Sequence, residues 1–134
     1  MLVADWQHVT HRLLAVLDDE LSDLGLSAAE TNALAAFGGG ASRTVRELVD
    51  ATGQRPSTFT GVLDRLERRG LIERRPNPAD RRSVLVHVTA TGAAAAARVT
   101  GAFADVERRI AERLPEGEVR RVLAGLESLL DEPA

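Results

Sequence analysis

Cysteine is absent from the 134 residues. That excludes disulfides, thiolate zinc sites, cysteine nucleophiles and thiol-based oxidation sensing. Lysine is absent too, so all 17 basic residues are arginine, a bias that fits GC-rich coding alongside the many alanines. Aromatic residues make up only 3%, most of them being Trp6, Phe37 and Phe103. No apolar run approaches the roughly 20 residues that a bilayer-spanning helix needs, the alanine run at 93–97 included. Asp5, His8, His11 and Arg12 occupy the place where a signal peptide carries its apolar stretch, so secretion is not expected and the cytoplasm is. Gly38-Gly39-Gly40 follows a helical pattern and lacks the later lysine of a phosphate-cradling loop. No nucleophile has a base beside it, so neither catalysis nor a cofactor is expected.

What is present is an ordinary soluble mixture, 44% apolar and 28% charged, long enough for a single domain over residues 1–134. The charge is segregated. Residues 42–92 hold ten arginines against six acids, a balance of +4, while the rest holds seven against fourteen, a balance of −7. A basic middle lies between acidic flanks.

The apolar periodicity predicts a mainly α fold of the α+β class. Trp6, Val9, Leu13, Val16, Leu17, Leu21 and Leu24 fall at three- and four-residue steps, an amphipathic helix over 3–24 closed by Gly25. Ser27-Ala28-Ala29-Glu30 reads as a capping box opening a helix to about Phe37, and Thr44-Val45-Arg46-Glu47 as a second opening a short helix to Thr52-Gly53. Pro56 suits the first turn of the next helix, whose stripe of Phe59, Val62, Leu63 and Leu66 ends at Gly70. Two strands are expected after it, 71–75 and 83–88, joined by a proline-rich loop over 76–82 that cannot continue a ladder. Thr89 or Thr91 can cap a helix over 92–114 with a Val99, Phe103, Val106, Ile110 seam. Pro115 separates it from a last helix over about 116–131.

A short helix, a glycine turn and a second helix with small polar residues at its start describe a helix-turn-helix, and the hairpin makes it winged. The buried stripe leaves Ser57, Thr58, Thr60, Gly61, Asp64 and Arg65 outward, where hydroxyls can read base edges and the helix N-terminus can meet phosphate; Arg55, just before the helix, is a further DNA-binding candidate. The competing reading is that Ser57 and Thr58 only satisfy the first turn. Arg81 and Arg82 follow Asp80 near the hairpin tip, suited to the negative potential of a minor groove, with Asp80 capping the turn or orienting an arginine. Arg74 and Arg75 extend the basic track or shield the sheet edge.

The run Thr58-Phe59-Thr60-Gly61-Val62-Leu63-Asp64-Arg65-Leu66-Glu67-Arg68-Arg69-Gly70-Leu71-Ile72-Glu73-Arg74, with Asn77-Pro78-Ala79-Asp80-Arg81-Arg82 and the strand to Thr89 after it, resembles the winged helix-turn-helix of the multiple-antibiotic-resistance regulator (MarR) family. The likeness extends over nearly the whole chain. It implies a homodimeric transcriptional regulator, usually a repressor, acting on palindromic double-stranded DNA. On that reading the helices at 3–24 and 92–131 dimerise and 27–89 forms the DNA-binding lobe. It further implies a small aromatic effector held between the two, Arg81 or Arg82 in the minor groove, and Asp64 orienting a wing arginine. Gly61 departs from the pattern, standing where many members carry an arginine.

Independently of the resemblance, the outer helices hold more apolar positions than one small lobe can cover, which points to a two-fold interface. Its candidates are Val3, Trp6, Leu114, Val119, Val122, Leu126, Leu129 and Leu130. Trp6, His11, Phe37 and Phe103 are candidates for lining an effector pocket, with core packing as the rival for the aromatics. His8 and His11 could give a zinc site two ligands, but a full site needs three or four, so no metal is expected. Two other functions compete: a winged-helix module that binds a protein, and a metal-sensing regulator.

Overall fold

Glycine and proline set most of the boundaries in the computed structural model, which describes residues 1–133. Helix α1 (Leu2–Leu21) tightens into a 3-10 turn (Ser22–Leu24) that Gly25 closes at φ +62°. The regular helix is thus three residues shorter than its apolar pattern. Helix α2 (Ala28–Ala35) starts at Ser27, whose Oγ accepts the Glu30 N–H at 3.1 Å. The other half of the expected box is not formed, because the Glu30 carboxylate turns away toward Arg65 and Arg69.

Strand β1 (Ser42–Thr44) and helix α3 (Val45–Thr52) follow. Here the capping box is complete: Thr44 Oγ1 accepts from Glu47 N and Glu47 Oε1 accepts from Thr44 N, each at 3.1 Å. Helix α4 (Pro56–Arg68), strands β2 (Ile72–Asn77) and β3 (Asp80–Val88), and helices α5 (Ala90–Ala111) and α6 (Glu116–Leu130) complete the order. The sheet is antiparallel throughout, in the order β1-β3-β2.

Two expectations about strands fail. β1 was not expected; three residues carry no periodicity, and Ser42, Arg43 and Thr44 become a strand only by pairing with His87, Val86 and Leu85. The segment 76–82 was expected to lie outside the ladder, yet Pro76 pairs with Val84 and Asn77 with Asp80 across a bulge, leaving Pro78-Ala79 as the turn. β2 is a sheet edge, where a proline forfeits only a bond that would have faced solvent. Arg81 and Arg82 therefore sit on β3 itself.

The chain divides into two compact units, Met1–Ala102 and Phe103–Ala134. The core of the first gathers Leu34 and Phe37 of the α2 region, Leu48 of α3, the expected α4 stripe, Ile72 of β2 and Val86 of β3. α5 joins this core by a close approach: Thr89 donates its N–H to the Leu71 carbonyl at 3.1 Å and its hydroxyl to Gly70 O at 2.6 Å, while its Oγ1 accepts from Gly92 N. A Cβ on Gly92 would lie 1.8 Å from Leu71 O, so only glycine fits there. On α1 only Leu21 is buried; Val3, Trp6 and Val9 are among those exposed. In the second unit α6 buries none of its residues and exposes Val122, Leu123, Leu126, Leu129 and Leu130.

Candidate nucleic-acid interface

The turn between α3 and α4 is closed by Gly53 at φ +68°, and Arg55 then takes the N-cap of α4 in extended conformation. No side chain caps α4, so its first N–H groups remain open to an external acceptor. Arg55, Ser57, Thr58 and Thr60 are all exposed there. The Thr60 hydroxyl donates to the Pro56 carbonyl at 3.1 Å, which leaves its lone pairs facing out as acceptors. The rival reading of Ser57 as a first-turn cap is not what the hydrogen bonds give.

With Phe59, Val62, Leu63 and Leu66 buried, the opposite face of α4 carries Ser57, Gly61, Asp64 and Arg68 at helical steps. Arg68 is a candidate that reading the sequence passed over, although its spacing from Asp64 placed it on this face. Arg68 Nε donates to the Asp64 carbonyl at 3.4 Å, and no carboxylate lies within ion-pair distance of it among the described residues.

The flanks of α4 are occupied differently. On one side Arg74 of β2 bridges two acids, with Nη2 at 2.6 Å from Asp64 Oδ1 and 3.1 Å from Glu67 Oε1, and its N–H reaches Glu67 Oε2 at 2.9 Å. Asp64 does orient an arginine, but one at the base of the hairpin. The Arg74 hydrogen bonds, side chain first, hold the Glu67 carboxyl below its ordinary value, and the two acids raise Arg74 in turn. On the other side Arg65 Nε donates to Glu30 Oε1 at 3.4 Å, and Arg69 Nη1 lies 3.8 Å from Glu30 Oε2. A Cβ on Gly61 would meet Arg65 Nη1 at 3.4 Å. Arg65 and Arg74 are therefore held by acids.

The hairpin tip is built by short polar bonds. Asn77 Oδ1 accepts the Ala79 N–H at 3.0 Å and its Nδ2 donates to Ser83 Oγ at 2.8 Å. Asp80 Oδ1 accepts the Arg82 N–H at 3.0 Å and lies 3.7 Å from Arg82 Nε, so it both turns the chain and steadies the arginine. The Arg82 side chain is 95% exposed. Arg81 is exposed beside it, whereas Arg75 pairs with Glu73 at 2.5 Å.

Within the first unit the effector candidates are not gathered: Phe37 is sealed in the core, while Trp6 and His11 are exposed on α1. Phe103, in the second unit, is half-buried. A groove of about 350 Å³ in the first unit is lined by Asp23, Leu24, Leu26, Arg69, Leu71, Thr91, Ala94, Ala95 and Arg98. Across it Arg98 grips Asp23 with two bonds of 2.7 and 2.8 Å, which lower the Asp23 carboxyl. Among the interface candidates Val3, Trp6, Leu114, Val122, Leu126, Leu129 and Leu130 are exposed and Val119 is half-buried.

Residues 24–83, from the 3-10 turn to the wing, match the model of the MarR family. The transcriptional repressor NicR of Pseudomonas putida is 30% identical over 90% of this chain and 76% of its own length. The multiple antibiotic resistance protein MarR of Escherichia coli is 39% identical, over 59% of this chain and 55% of its own length. A mutant of that MarR in complex with operator DNA superimposes with a TM-score of 0.75 at 30% identity, covering 96% of this chain and 93% of that one. BpsR of Bordetella bronchiseptica, whose DNA binding is regulated by 6-hydroxynicotinic acid, superimposes with a TM-score of 0.76 at 25% identity, covering 99% and 95%. With α4 clamped to the hairpin by Arg74, and with these relatives beside it, this chain belongs to the MarR family of transcriptional regulators.

Proposed function

We propose that the protein is a homodimeric repressor that binds a palindromic operator in the cytoplasm and performs no catalysis. One observation carries this: Arg74 fastens the hairpin to α4, so the uncapped helix end and the two tip arginines are presented as one rigid pair of contacts. Ser57, Thr58, Thr60 and Gly61 read the major groove. Arg55 and Arg68 meet phosphate, and Arg81 and Arg82 enter the minor groove, where the potential is most negative. The exposed apolar rows of α1 and α6 meet a second copy, which presents two recognition helices about one helical turn apart.

The effector in this reading is a small aromatic acid in the Asp23–Arg98 groove. Leu24, Leu26 and Leu71 offer an apolar floor, and Arg69 and Arg98 offer charge for a carboxylate. An entering carboxylate would compete with Asp23 for Arg98 and so loosen the junction between α5 and the 3-10 turn after α1. The relatives' effector chemistry supports this class, 6-hydroxynicotinic acid regulating BpsR.

The test is a mobility shift and footprint on the intergenic DNA beside the gene, at moderate salt with non-specific competitor. A protected palindrome released by nicotinate-type acids is expected. Indifference to every promoter fragment, together with capture of a protein partner, would turn the reading toward a winged-helix interaction module.

A further inference from the structure

Glu30 occupies the position in α2 from which a glutamate ordinarily reaches back to cap its own helix, as Glu47 does in α3. It does not. Its side chain is 8% exposed and extends to α4, where one carboxylate serves both Arg65 and Arg69. Arg69 continues the connection by donating to the carbonyls of Leu24 and Gly25. Burying a carboxylate is costly unless it is paired, so giving up the cap for two guanidiniums on the recognition helix calls for a function. Arg65 lies next to Gly61 and beside the face that carries Ser57 and Arg68. Released, it would be within reach of any phosphate backbone, whatever the sequence.

We propose that Glu30 is a specificity-determining residue: by holding Arg65 against α2, it withholds that cation from sequence-blind phosphate contact and leaves discrimination to the N-terminal face of α4, while Arg69 stays fastened to the Leu24 and Gly25 carbonyls. The proposal rests on the DNA-binding reading given above. Phosphate contacts add affinity without information and steepen the salt dependence, whereas base contacts discriminate.

The experiment measures binding of the full chain to operator and to scrambled duplex across a salt series, for wild type, Glu30→Gln and Glu30→Asp. The aspartate variant keeps the charge but loses the reach, since the bonds already stand at 3.4 and 3.8 Å. Both variants should bind scrambled DNA about tenfold more tightly and lose about tenfold in operator preference. The slope of log K against log salt should steepen by roughly 0.9, as expected for the one guanidinium released. Adding Arg65→Gln to Glu30→Gln should take back most of that gain. Should Glu30→Gln fail to fold, Glu30→Asp carries the test alone. Equal weakening on both duplexes with an unchanged slope and a lowered melting temperature would overturn the proposal, reducing Glu30 to a packing role. So would a Glu30→Asp variant that behaves as wild type, because net charge would then explain the glutamine result. A wild-type protein that leaves no footprint on any promoter would sink the DNA-binding reading itself, and the proposal with it.

Discussion

Arginines that look alike in the chain are sorted by their acids. The Arg82 side chain is 95% exposed and its guanidinium stands 3.7 Å from Asp80, whereas Arg74 spends its guanidinium on Asp64 and Glu67. Arg82→Ala should weaken operator binding and reduce the salt slope by roughly 0.9, as expected for one lost phosphate-region contact. Arg74→Ala should weaken binding with the slope unchanged, because it misplaces the wing without removing a contact. Thr58→Ala should alter sequence preference more than slope; mobility shifts on a mutated-operator panel at several salt concentrations separate the three. Glycines divide in the same way. Gly92→Ala drives a methyl into the Leu71 carbonyl and should cost about 3 kcal/mol in urea unfolding, the larger end of overpacking, because backbone stands on the far side.

At the scale of elements, the joint between α4 and β2 depends on ionised carboxylates. Arg74 holds Glu67 below its ordinary value of 4.5, as Arg98 holds Asp23 below 3.8. A carboxyl depressed by folding contributes stability that is fully present above its unfolded value and is lost as pH falls through the folded one. Unfolding followed from pH 6 to pH 3 should therefore show stability declining below about pH 4.5, and Glu67→Gln should flatten the decline. Elements were legible where local chemistry defined them: Thr44 with Glu47, Pro56, Gly53 and the Phe59–Leu66 stripe each fall where the residues alone place them. They were illegible where a partner strand or a distant charge decided. β1 exists only through β3, Pro76 is tolerated only because β2 lies at an edge, and Glu30 abandons its cap for arginines 35 and 39 residues away along the chain. Reading the residues also placed Arg65 and Arg74 outward with the other cations, since spacing says which face a side chain is on and nothing about which acid meets it there.

For the whole molecule, the apolar rows on α1 and α6 lie open in a single chain, with Leu126 40% and Leu129 64% exposed. In the dimeric reading, Leu126→Glu should shift light-scattering mass toward one subunit and lower operator affinity by well over tenfold, since each half-site would then be held without its tethered neighbour. The same change in a protein that works as a monomer would leave both readings untouched.

The two-residue tip, Pro78-Ala79, gives the hairpin a defined length. Strand residues advance about 3.3 Å each, close to the spacing of successive base pairs along one DNA strand, about 3.4 Å. Because side chains alternate faces, a wing could be extended only by two residues per strand if its arginines are to keep their direction, a step of about two base pairs. In the DNA-binding reading, hairpin length is thus a ruler with coarse graduations, fixing how far from α4 the outer contact of each half-site can fall.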